Sequence, residues 1–146
     1  MCLCANNRST AEFKQKNTGK ITVWKVYRKI GKKLYSPIYP TRPIKSGNIV
    51  SNRNTTRFPL NNEFYSEFYS CIGKGIHVFL TRTMARDHKS KHIFSRSFFR
   101  SKDYVVVKCL ADMKDFVACD KNKSEAVFTK ITITPEEMER GIKNRN

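Results

Sequence analysis

Residues 104–111 read YVVVKCLA. The run is apolar at odd and even positions alike, apart from Lys108, and three of its eight residues are β-branched valines. A half-buried strand alternates apolar with polar; one that is apolar on both faces belongs inside a sheet covered on both sides. This segment predicts a central strand, and the rest of the chain reads as what surrounds it.

Downstream, Phe116–Cys119 extends the sheet, and residues 127–134 alternate as one strand. Val127, Thr129, Ile131 and Ile133 would share one face of that strand, opposite Phe128, Lys130, Thr132 and Thr134. Thr134-Pro-Glu-Glu137 then predicts a helix start. Thr134 can cap, Pro135 suits the first helical position, and Glu137 completes a capping box. This last helix is short and expected to fray near Gly141.

Upstream, Ile21–Ile30 (ITVWKVYRKI) is β-branched and aromatic and predicts a strand. Gly31-Lys32-Lys33 signals a hairpin turn, and Leu34–Tyr39 a return strand ended by Pro40. Residues 41–62 read as irregular, with a short strand at Asn48–Ser51. Residues 63–69 (EFYSEFY) fit a helical turn or a strand. Gly75–Thr81 predicts a short strand and Arg82–His92 a helix. Residues 1–19 are polar and read as an N-terminal arm or short leader, with residues 20–146 as the domain. The fold class expected is α+β: a single compact domain, mostly antiparallel sheet, with two short helices.

Bulk properties fit this picture. The 146 residues suffice for one core and are too few for two ordinary domains. Ten Phe, six Tyr and one Trp supply large buried area, which argues against disorder. No run of eighteen apolar residues predicts a membrane span. The first residues, MCLCANNRSTAEF, lack the apolar core of a signal peptide. Five cysteines, an odd number, then read as free thiols in a reducing compartment, so a secreted protein is not expected.

The net charge is +17. Residues 1–102 hold 21 Lys and Arg against four acids, which accounts for all of it; residues 103–146 hold eight of each. A general solubility surplus has no reason to stop at one position. A surface built for a polyanion does.

The stretch Cys71–His92, CIGKGIHVFLTRTMARDHKSKH, concentrates the candidate chemistry. A phosphate loop is excluded, because Gly73-Lys74-Gly75 precedes a strand and lacks the hydroxyl that would hold magnesium. His88 and His92 have helical ligand spacing, but there is no H-E-x-x-H, no C-x₂-C pair, and many nearby cations. Neither a metal set nor a cofactor motif is read. His77 shares a strand face with Phe79 and Thr81 and reads as a structural residue, with Ile76, Val78 and Leu80 buried on the other side. An enzymatic alternative uses Cys2, as an N-terminal nucleophile after removal of Met1, with His77 or His88 as base. Against it, Cys2, Leu3 and Cys4 read as small hydrophobes at the core edge, and no nucleophile signature is present.

Cations interleaved with aromatics remain. Arg82, Arg86, Lys89, Lys91, Arg96, Arg100 and Lys102 run alongside Phe94, Phe98 and Phe99, with Asp87 the only acid. Lys25, Arg28, Lys32, Lys33 and Lys74 add upstream cations. Arg82, Arg86 and Lys89 would share one exposed helical face. Cations neutralise phosphates and release counterions; exposed aromatics stack on unpaired bases. With no sequence-reading motif, binding of nucleic acid or another polyanion would be largely independent of sequence. The alternative is a structural or interaction protein docking on an acidic protein surface.

The Met1-Cys2-Leu3 opening, Val23–Tyr27 followed by Leu34-Tyr-Ser-Pro37, Gly75-Ile-His-Val-Phe79 with Thr81 and Ala85, and Val105-Val-Val-Lys-Cys109 together resemble a family of small proteins from phages, large DNA viruses and some bacteria. The resemblance implies one α+β domain and a viral or phage setting. A host-cell cytoplasm or virion location follows, with capsid proteins as further possible partners and a minor capsid component or an inhibitor as alternative roles. It names no activity and no catalytic residue. Residues 48–62 and 86–102 depart from the shorter members.

Overall fold

The computed structural model describes residues 3–36, 42–50, 57–59, 69–72, 75–89 and 104–143. In chain order its elements are β1 (Leu3–Asn6), α1 (Asn7–Lys16), β2 (Lys20–Ile30), β3 (Lys33–Tyr35), β4 (Gly47–Val50), β5 (Arg57–Pro59), β6 (Tyr69–Ile72), β7 (Ile76–Phe79), α2 (Arg82–His88), β8 (Tyr104–Asp112), β9 (Phe116–Cys119), β10 (Glu125–Phe128), β11 (Lys130–Ile133) and α3 (Pro135–Lys143).

The two longest strands form the middle of the molecule. β2 and β8 pair antiparallel over nine rungs, from Lys20 with Asp112 to Arg28 with Tyr104. Among the described residues this sheet has eight strands, in the order β4-β11-β8-β2-β7-β10-β9, with β3 pairing the end of β2. A separate sheet runs β1-β6-β5. All described pairings are antiparallel. The expected α+β class with a mostly antiparallel sheet is therefore what the chain adopts.

One face of β2 and β8 is covered along its length and the other in part. Val23, Tyr27, Val105, Val107, Cys109 and Ala111 face the main core, with Phe128, Ile131 and Ile133. Met138 and Ile142 of α3 and Phe13 of α1 pack against it. On the opposite face, Val26 and Tyr104 pack with Phe79 and with Ala85 of α2. Trp24, Met84 and Val106 line the margin of that cluster. Farther along this face, Leu3, Ala5 and Ile72 of the small sheet bury Ala118 and Val127.

The N-terminal segment is not an arm. Leu3 and Ala5 are buried in β1, and α1 docks on the β9–β10 hairpin. Asn6 caps α1, accepting from Ser9 N at 2.9 Å. Thr10 Oγ1 accepts from Cys119 N at 3.1 Å and donates to Cys119 O at 3.3 Å. The polar residues that suggest an arm are thus partners for strand backbone. Among the described residues there are three helices, where two were expected. Cys4 is exposed, since alternation along β1 turns it away from Leu3 and Ala5. The helix α3 runs on to Lys143 rather than fraying at Gly141.

Residues 127–134 are also not one strand. Thr129 N donates to Asp115 O at 2.9 Å, which interrupts the run and separates β10 from β11. The phase slips there. Phe128, Ile131 and Ile133 enter the main core while Val127 faces the small sheet. The Thr134 half of the capping box forms: Thr134 Oγ1 accepts from Glu137 N at 3.2 Å, while the Glu137 carboxylate accepts from Arg140.

Candidate nucleic-acid interface

In an antiparallel pair, residues directly opposite each other share a face. Trp24 of β2 lies opposite Lys108 of β8, and Val26 opposite Val106. All four side chains therefore stand on the face that α2 covers in part. Trp24, Val106 and Lys108 form the floor of a groove of about 280 Å³.

One wall is Arg82, the first residue of α2. Thr81 caps this helix, accepting from Met84 N at 3.2 Å. Ala85, fully buried, presses it onto the sheet. The other wall is Glu137, Arg140 and Gly141 of α3. β11 pairs with β8 only at Thr132–Leu110, which leaves the first half of β8 open on that side. α3 straddles the opening. A Cβ built on Gly141 would lie 2.7 Å from Val107 Cγ2 on the core face, while Gly141 also lines the groove on the other.

Among the described residues, three cations thus converge on the groove with one acid. Glu137 Oε1 is 2.9 Å from Arg140 Nη1, and the Glu137 side chain is 19% exposed against 63% for Arg140. A second depression, about 330 Å³, holds Lys20, Lys114 and Lys130 with Asp112 and Asp115. There the charges nearly balance, so it offers a polyanion much less.

The predicted cations divide. Arg28 is half-buried on the Trp24 face, opposite Tyr104. Lys32 and Lys33 are exposed at the β2–β3 turn, where Gly31 adopts φ +61°. Arg82 and Arg86 are exposed on α2. Two expectations are corrected. Lys25 points to the main-core face, where its Nζ donates to His77 O at 3.0 Å and sits 5.6 Å from the Tyr27 ring centre. Burial lowers its pKa from 10.5 to about 8. Lys89, at the end of α2, is only 9% exposed, and burial, then the nearby Arg86 charge, lowers its pKa. Neither serves as an exposed phosphate contact. Lys74, Lys91, Arg96, Arg100 and Lys102 lie outside the described residues.

Of the enzymatic alternative, Cys2 lies outside the described residues; so does His92, the partner of His88 in the metal reading. His77 is half-buried in β7, with Ile76 and Val78 buried on the other side and Leu80 half-buried. The His88 ring packs 4.9 Å from that of Phe79. Among the described residues no group of three His, Cys, Asp or Glu could hold a metal ion. No described helix is long and apolar enough to cross a membrane.

Trp24, Lys108 and Arg140 escape the sequence reading. The one available signal was Lys108, the single charge in an otherwise apolar run. No protein-family model matches this chain, and no curated protein or solved structure is significantly similar to it.

Proposed function

We propose that this chain is a small basic, non-enzymatic protein that binds a polyanion, most simply nucleic acid, with little sequence preference. One observation carries the reading: Arg82, Lys108 and Arg140, from three separate elements, line one groove in which the one acid among the described residues is already paired with Arg140. Cations gathered in a concave site focus potential more than the same charges scattered over a surface. Arg28 stands on the same sheet face as Trp24 and Arg86 on the same helix as Arg82, while Lys32 and Lys33 add exposed cations at the β2–β3 turn. A viral accessory role, in the host cytoplasm or the virion, rests on the family resemblance of residues 1–3, 23–27, 34–37, 75–79 and 105–109. A packaged or replicating genome would be the polyanion.

The experiment is affinity for single- and double-stranded DNA and RNA across salt. The expected result is a linear fall of log affinity with log salt, with similar affinities for unrelated sequences. A flat salt response, or no binding at low salt, removes the reading.

A further inference from the structure

The groove's floor is aromatic, which charge neutralisation alone does not require. Trp24 is the only tryptophan of the chain, and it is not fully buried in the cluster beneath α2. Lys108 stands directly across from it on the neighbouring strand. An indole with a cation at its side matches what one nucleotide presents: a flat base joined to a phosphate. The volume, about 280 Å³, lies just below the range of drug-sized pockets, roughly 300–1,000 Å³, and suits one nucleotide at a time.

Glu137 points the same way. A carboxylate in a groove built only for phosphates would repel them. A base edge instead carries N–H donors, which a carboxylate accepts. Arg140 engages Glu137 Oε1, and among the described residues Oε2 has no protein donor.

We infer that the groove takes an unpaired base of a single-stranded nucleic acid, stacked on Trp24, with Lys108 and Arg82 at the flanking phosphates and Glu137 at the base edge. This rests on the polyanion reading above and narrows it. In a duplex the base faces are already stacked on one another and cannot reach Trp24.

The single tryptophan makes the test direct, since emission excited beyond the absorption of the six tyrosines reports on the groove alone. The intact protein is titrated at low and at moderate salt with a mixed-sequence single-stranded 12-mer, with its duplex, and with inorganic polyphosphate. The expected result is salt-sensitive binding of all three and quenching of Trp24 emission by the single strand only. In Trp24→Leu, followed by anisotropy of a labelled strand, the ratio of single-strand to polyphosphate affinity should fall roughly tenfold or more. Trp24→Phe should lie between. Binding of all three without selective quenching, or quenching by polyphosphate to the same extent, overturns base stacking while leaving polyanion binding intact. Absence of binding by all three overturns both.

Discussion

Lys25 Nζ lies 3.0 Å from the main-chain oxygen of His77 and donates a hydrogen bond to it. β2 pairs with β7 at Trp24–Phe79 and with β3 from Arg28 onward. The ammonium thus bridges to β7 where the ladder has lapsed, from the core face of the sheet.

That position gives stability a particular pH dependence. Lys25 has its pKa lowered to about 8 by burial, against 10.5 when unfolded, so between these values the unfolded chain binds more protons and stability rises with pH. Cys109 is pushed up to about 12 from 9, again mainly by burial, so above pH 9 the folded state holds the extra proton and stability falls. Burial likewise raises the Tyr27 pKa and adds to the fall at high pH. The rise should therefore be confined to about pH 8–9 and amount to about 1 kcal/mol. In denaturant melts Lys25→Met should lose this rise, and its affinity for polyanions should stay within about twofold. A rise that survives the substitution would show that Lys25 is not the group responsible.

Charges at the two ends of α2 should separate by burial. Arg82→Met, at an exposed position, should change stability by less than about 0.5 kcal/mol and lower the salt slope of polyanion binding by about one. Lys89→Met, at a position only 9% exposed, should leave that slope unchanged. Affinity measured at four salt concentrations for each variant checks both. An equal loss of slope in the two would mean that Lys89 reaches the ligand.

Gly141→Ala places a methyl 2.7 Å from Val107 Cγ2, where Val107 is 1% exposed and has little room to yield. Ala is the better helix former by about 1 kcal/mol, yet the clash should win, with a net loss of about 1–3 kcal/mol. Combining it with Val107→Ala should recover part of the loss, giving a coupling well outside additivity. Strict additivity in thermal or urea unfolding would place α3 farther from β8.

Thr10→Val keeps the shape of the side chain and removes the hydroxyl that serves both the N–H and the C=O of Cys119. A loss of about 1–3 kcal/mol is expected, because the strand backbone is left without its partner. Hydrogen exchange at the Cys119 amide should speed up more than at Val107. Unchanged exchange at Cys119 would return α1 to the status of a loose arm.

What could be read from the sequence was whatever a short window determines. YVVVKCLA and ITVWKVYRKI were legible as strands because period and β-branching agree, and Thr134–Glu137 because a capping box is local. The docking of α1 was not, since Ser9 and Thr10 find their partners at Lys121 and Cys119, across more than half the chain. The break at Thr129 was hidden because alternation resumes on its far side with the phase shifted. In the groove, Arg82 was legible as an exposed helical cation. Trp24, Lys108 and Arg140 were not, because only the β2–β8 register and the docking of α3 bring them together.

The β2–β8 pairing also sets a timetable. Its innermost rung, Arg28 with Tyr104, encloses everything from residue 29 to residue 103, so the centre of the sheet cannot form from neighbouring segments. Such distant closure makes folding slow, on the scale of milliseconds to seconds rather than microseconds. On the ribosome, at about 5–20 residues per second, β2 must wait several seconds for β8 to emerge. During that interval the edge of β2 that β8 will occupy has no native strand beside it, and the nascent chain is at its most exposed to aggregation or to chaperone capture.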